Sequence, residues 1–143
     1  MTARALSLLS LCLAVSGLAA TKLSDQPVLN FRLPTFTPEG HRDWLFRGDE
    51  ARYLDANRID IKEMALTVFT GTADNRAETL ILSPAARLAP QSQAVAGDGT
   101  IRIINDRFEA TGSKWTYEHA ARKVTLGKDV RVRFKAELKN LLQ

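Results

Sequence analysis

The sequence predicts an all-β protein, an antiparallel folded-over jelly roll built from repeated strand units. Three observations predict it: apolar residues recur with period two from Val28 onward, turn-forming clusters punctuate them, and the strand pattern itself repeats along the chain. Period two is the spacing of half-buried strands, whose alternate side chains share a face, whereas a helix buries every third or fourth residue.

The elements follow in order. Leu29, Phe31 and Leu33 alternate with Asn30 and Arg32, Trp44 and Phe46 flank Leu45, and Ile59 and Ile61 flank Asp60. Met64, Leu66 and Val68 alternate with Ala65 and Thr67; Ile101 and Ile103 follow, then Val130, Val132 and Phe134. Turns are predicted at Pro38-Glu39-Gly40, Asp55-Ala56-Asn57, Gly71 to Asn75, Gly97-Asp98-Gly99 and Gly127-Lys128-Asp129, all rich in residues that tolerate tight backbone geometry. Only Ala136 to Leu142 carries a weak helical pattern.

The repeat appears when Tyr53, Leu88 and Tyr117 are taken as equivalent positions. Nine residues earlier stand Trp44, Thr79 and Phe108; seven earlier, Phe46, Ile81 and Ala110; two earlier, Ala51, Ala86 and Trp115. Thirteen later come Leu66, Ile101 and Val130, and fifteen later Val68, Ile103 and Val132. Each unit thus reads as strand, strand, turn, strand, strand. No unit closes its own apolar face, so stacked copies share one and the row ends in unpaired edges.

Residues 1–20 form a separate segment. Arg4 precedes an apolar stretch from Ala5 to Leu18, and Gly17 and Ala19 meet the small-residue requirement for cleavage. We expect a secretory signal, or a short N-terminal anchor, and a single domain over residues 21–143 located in the periplasm. The apolar stretch is short for a membrane span, which needs about 20 apolar residues. The only cysteine, Cys12, lies in this leader, which leaves the domain no thiol chemistry.

Charge excludes little but is informative. There are 20 basic and 16 acidic residues with no basic run, so a nucleic-acid partner is not expected. An enzyme would need a nucleophile with a base, paired carboxylates or a metal cluster, and none is legible. His41 and His119 stand beside turn residues, outside any metal-ligand spacing, and are expected to be solvated loop residues. Gly97-Asp98-Gly99 precedes a strand and is no phosphate loop. Nothing calls for a cofactor.

Several segments together resemble a known family. Phe31-x-Leu33, Gly40-x-x-x-Trp44, Ala51-x-Tyr53, Ile59 and Leu66-x-Val68 are similar to the opening of LptC, the lipopolysaccharide-export protein. Phe108-Glu109-Ala110 to Trp115-x-Tyr117 and the strand Val130 to Phe134 resemble the OstA-type repeat that LptC shares with its soluble relative LptA. The resemblance implies a periplasmic, non-enzymatic jelly roll whose interior carries lipid A acyl chains. It implies as partners lipopolysaccharide, the permeases of the inner-membrane transporter and an LptA-like bridge protein. The expected lipid-facing residues are Trp44, Phe46, Tyr53, Leu66, Val68, Ile101, Ile103, Phe108, Ala110, Trp115 and Tyr117, where bulky aromatics alternate with small residues. A closed core packs the same way, so a purely structural adaptor and an LptA-type role stay open. Val130, Arg131, Val132, Arg133 and Phe134 are expected to form the exposed edge that pairs with a partner, with the Arg131, Arg133 and Lys135 cations on one face.

Overall fold

The computed structural model describes residues 26–135. They form seven strands: β1 (Val28–Phe36), β2 (Arg42–Asp55), β3 (Arg58–Phe69), β4 (Ala77–Ala89), β5 (Ala94–Asn105), β6 (Phe108–Glu118) and β7 (Lys123–Phe134). All lie in one sheet in chain order, each antiparallel to its neighbours. The all-β, antiparallel, folded-over reading is what the chain adopts. The expected leader and the expected helix at 136–142 lie outside the described residues.

Strands of nine to fourteen residues are long for a globular protein. They are long because each carries an irregularity at mid-length. Asn30, Glu63, Lys114 and Asp129 sit inside β1, β3, β6 and β7 with φ of 52°, 52°, 51° and 52°. That left-handed region suits Asn and Asp but costs Glu and Lys about 1 kcal/mol. β4 carries Pro84 at the same level, where a missing amide is tolerated only at a bulge, and the ladder shifts register between Leu82 and Arg87. Gly48-Asp49 and Asp98-Gly99 complete the line in β2 and β5, where the pairing is interrupted.

An inserted residue reverses which side of the strand faces inward, and the burial pattern shows it. In β2 the buried side chains run Trp44, Phe46, then Ala51; in β3 Ile59, Ile61, then Met64, Leu66, Val68; in β6 Ala110, then Trp115, Tyr117. The reversal keeps one continuous apolar face while the sheet bends across the line. Two wings result, facing each other. On the major wing a row of paired residues crosses all seven strands: Leu33, Phe46, Leu66, Ile81, Ile103, Ala110, Val132. On the minor wing the row Tyr53, Ile59, Leu88, Val95, Tyr117, Val124 crosses six.

Three expectations are corrected here. Gly97-Asp98-Gly99 and Gly127-Lys128-Asp129 are not turns between strands but lie within β5 and β7, where the same residue types serve the bend. Each repeat unit is accordingly two long bent strands, a hairpin, rather than four short ones. The equivalence of Leu66 with Ile101 and Val130 is also displaced: pairing with Phe46, Ile81 and Ala110 aligns Leu66 with Ile103 and Val132. The β2–β3 hairpin is shorter by one residue in its turn and one at the fold line, so an offset count along the sequence slips by two.

Packing at the line leaves no room for side chains where glycine stands. A Cβ on Gly97 would lie 2.7 Å from Trp115 Nε1 and 2.9 Å from the Ala85 carbonyl oxygen, and one on Gly48 would collide with Ile61. β5 therefore approaches the largest buried side chain of β6 by giving up its own.

Candidate functional site

The site lies on the inner face between the wings. Trp44, Phe46, Leu66, Val68, Ile101, Ile103, Ala110, Trp115 and Tyr117 are buried in one cluster, with Phe108 half-buried against it. Tyr53 sits at the open rim with 37% of its surface exposed, and its ring meets Phe31 edge-on at 6.3 Å. The alternation therefore places all eleven residues on one face, and most of them fill it. The indole N–H groups of Trp44 and Trp115 are buried there without a hydrogen-bond partner among the described residues.

The face is not filled throughout. A cleft of about 320 Å³ opens between the wings, lined by Val68, Thr79, Ile81, Ile103 and Phe108 on the major wing and by Tyr117 and Val124 on the minor wing. Glu78, Asn105 and Arg122 supply its polar wall. Two larger hollows, of about 550 and 690 Å³, open along the fold line, and both are ringed by charge, including Glu50, Arg52, Asp60, Lys62 and Arg87 around one and Glu63, Arg102, Asp129 and Arg131 around the other. The second also has an apolar floor, of Met64, Leu82, Pro84 and Ile101. The inner cleft differs in being lined by the inward rows of both wings, with Ile81 and Ile103 on one side and Tyr117 and Val124 on the other.

One end of the cleft is closed by a polar cluster that the sequence did not announce. His119, expected as a solvated loop residue, is buried at 6% exposure. Its ring stacks on Trp44 at 4.7 Å and 10°, the Tyr117 hydroxyl meets its Nδ1 at 2.8 Å, and its Nε2 meets Asp43 Oδ2 at 2.9 Å. Neutral imidazole protonated on Nε2 satisfies both contacts, with the hydroxyl donating to Nδ1 and Nε2–H donating to the carboxylate. Arg122 donates to the Phe69 carbonyl at 3.0 Å and pairs with Asp43 at 3.3 Å and Glu78 at 3.4 Å. The six-residue loop spacing of Tyr117, His119 and Arg122 looks like ordinary turn chemistry, and its partners Asp43 and Glu78 stand far away in sequence. Burial pushes the Tyr117 phenol up to about 12, with Arg122 opposing and the Asp43 and Glu78 charges adding to the rise.

The edge expectation concerns β7. It is the last strand of the sheet and pairs only with β6. Val130, Val132 and Phe134 point toward the inner face and remain 49%, 49% and 72% exposed, because no further strand covers them. Arg133 pairs with Glu109 at 2.8 Å, as does Arg102 at 2.6 Å, and hydrogen bonds from Arg102 first and Arg133 second hold the Glu109 carboxyl below its ordinary range. Arg131 has no acidic partner among the described residues. Lys135 lies just past the strand, bonded to the Asn105 carbonyl at 2.8 Å. At the opposite edge Val28 and Leu29 of β1 are exposed as well.

Among the described residues no cluster of three His, Cys, Asp or Glu side chains could hold a metal ion, and no helix is long and apolar enough to cross a membrane. A family model described as lipopolysaccharide-assembly, LptC-related, matches residues 20–135, which contain all seven strands. No curated protein is similar enough to count as a match.

The buried phenol gives a pH test. A folded-state value above the unfolded one, near 10, means that neutral Tyr117 contributes stability that is full below pH 10 and is lost as pH rises through about 12. Tyrosinate absorbance should show a step near 12 that disappears in Tyr117→Phe. A step lost near pH 10 instead, with none near 12 in the unchanged protein, would show the phenol to be solvated.

Proposed function

The chain belongs to the LptC-related family of lipopolysaccharide assembly, with a role in lipopolysaccharide transport, and on that premise we propose that it is a non-enzymatic periplasmic module whose cleft takes lipid A acyl chains. The observation that carries this reading is the apolar cleft between the wings, floored by Val68, Ile81, Ile103 and Phe108. An acyl chain is unbranched and has no hydrogen-bonding groups, so it needs a slot rather than a pocket with placed donors. A sheet bent into two wings supplies such a slot, and removing apolar surface from water supplies the driving force, at roughly 25 cal/mol per Å².

A carrier must also receive and release its cargo, and the two unpaired edges serve that need. β7 presents a strand whose inner residues Val130, Val132 and Phe134 stay exposed, so an added strand from a neighbouring jelly roll would extend both the backbone ladder and the apolar face. The LptA-like bridge protein is the partner proposed for β7. The transporter permeases are the partners proposed for the β1 side, around Leu29 to Leu33. Residues 1–20 would deliver the domain to the periplasm, either removed after export or retained as an anchor.

Filling the slot tests the carrier reading. Val124→Trp adds volume to the cleft without adding charge, at a cost of about 1–3 kcal/mol if it overpacks. Purified Val124→Trp should retain its β circular dichroism and lose the lipopolysaccharide that copurifies with the unchanged protein, scored by mass spectrometry, while Leu82→Trp on the outer side keeps it. Equal lipid in all three proteins would place the lipid outside the cleft, and no lipid on any of them would favour the purely structural adaptor.

The docking edge has its own test. Val132→Pro or Arg133→Pro, whichever residue turns its amide outward, removes a ladder donor while an edge position tolerates the ring. Capture of a soluble LptA-type protein should fall at least about tenfold, whereas Arg131→Ala should change it little. Undiminished capture by both proline variants would move the docking site to β1.

A further inference from the structure

Among the described residues, the Asp43, Tyr117, His119 and Arg122 cluster is the one place where polar side chains tie the two wings together. Asp43 and Glu78 stand on the major wing, at the starts of β2 and β4, and the Phe69 carbonyl ends β3 there. Tyr117 belongs to the minor wing, and His119 and Arg122 form the turn between β6 and β7. The turn is further anchored to its own wing, since the His119 amide donates to the Gln93 carbonyl at 3.0 Å and the Arg122 amide to the His119 carbonyl at 3.0 Å. It therefore moves with the minor wing as a rigid tip.

Two of these residues also line the cleft, Tyr117 and Arg122, and so does their partner Glu78. Between the wings elsewhere the contacts are apolar, such as Phe31 against Tyr53 at 6.3 Å. Apolar contacts have no preferred direction and tolerate sliding. Hydrogen bonds of 2.8 to 2.9 Å and ion pairs of 3.3 to 3.4 Å do not: an opening of about 1 to 2 Å forfeits them. The cluster thus fixes how far apart the wings stand at the end of the slot.

We propose that Asp43, His119 and Arg122 form a clasp that gates the cleft, closing on the slot when it is empty or fully loaded and releasing whenever an acyl chain passes between the wings. The proposal rests on the reading of the cleft as an acyl-chain slot. Asp43 is its centre, because one carboxylate oxygen accepts from His119 and the other pairs with Arg122. Loss of the clasp lowers the barrier to opening in both directions, and the affinity of the slot, set by its apolar floor, changes much less. These side chains are positioning residues, acting on the lipid through the wing spacing.

Rates distinguish a gate from a structural brace. The probe is cis-parinaric acid, a fluorescent polyene fatty acid, mixed with the full chain by stopped flow. Arg122→Ala should raise both uptake and release by about tenfold or more, the equivalent of about 1.4 kcal/mol of barrier, with the equilibrium constant moved by less than about threefold. Arg122→Lys keeps the charge but not the fork and should fall between. Asp43→Asn, which retains an acceptor for His119 and removes the charge that Arg122 faces, should reproduce Arg122→Ala. Rates equal to those of the unchanged protein in all three variants would overturn the gate while leaving the slot intact. An unchanged protein that binds no probe would overturn the slot itself, and the gate with it. Affinity lost in proportion to rate, with native circular dichroism, would make the cluster a brace and overturn the gate.

Discussion

Every property of this molecule depends on one line of backbone irregularities that crosses all seven strands at the same level. A sheet of strands this long, left regular, would be an extended twisted ribbon with one apolar face open to water. The inserted residues at Asn30, Glu63, Lys114 and Asp129, the proline at position 84 and the glycines at 48 and 99 allow it to fold upon itself instead. Because each insertion also reverses the inward parity, the rows through Leu66 and through Leu88 end up facing one another. Without that reversal one wing would turn its polar side to the other. The bend and the core are therefore a single requirement. Burial of side chains such as Leu66, Ile81 and Leu88, worth about 1.5–3 kcal/mol each, offsets the strain of the left-handed Glu and Lys.

Folding one sheet rather than packing two leaves a particular kind of interior. The two wings share their strands along the fold line, so they are held close there and diverge away from it, and space between them widens toward the rims. Side chains pack closely in the narrow part, where a glycine at position 97 makes room for Trp115. Farther out the wings part at the cleft, and there the polar cluster around His119 takes over from apolar packing. The meander also leaves β1 and β7 unpaired, since chain-adjacent pairing uses up every interior edge but cannot close the ends. The inner cleft and the two free edges are thus two consequences of the same topology.

Much of this was legible in the residues. Alternation exposes a single face, and Trp44, Phe46, Leu66, Ile103 and Trp115 lie on it because a strand has no other way to sort them. The repeat was legible too, since each hairpin repeats the same inward positions. Three things were hidden. The bend residues share their chemistry with turn residues, so Gly97-Asp98-Gly99 and Gly127-Lys128-Asp129 read as strand ends when the backbone merely bends and goes on. Register slipped by two because a turn and a bulge each change length invisibly. The role of His119 depends on Asp43, 76 residues away, and on Trp44 beside it, and no local pattern shows that pairing. Side chains whose partners are nonlocal are the ones that local reading places in solvent.

The central claim is that lipid lies between the wings and not on the outer side of the sheet. Site-specific photocrosslinking tests it most directly, with p-benzoylphenylalanine in place of Phe108 at the cleft and, separately, in place of Leu80 on the opposite side of the same wing. Illumination during lipopolysaccharide transport should yield a lipid-bearing adduct at position 108 and none at position 80. Adducts of equal yield at both positions, or at position 80 alone, would contradict the account.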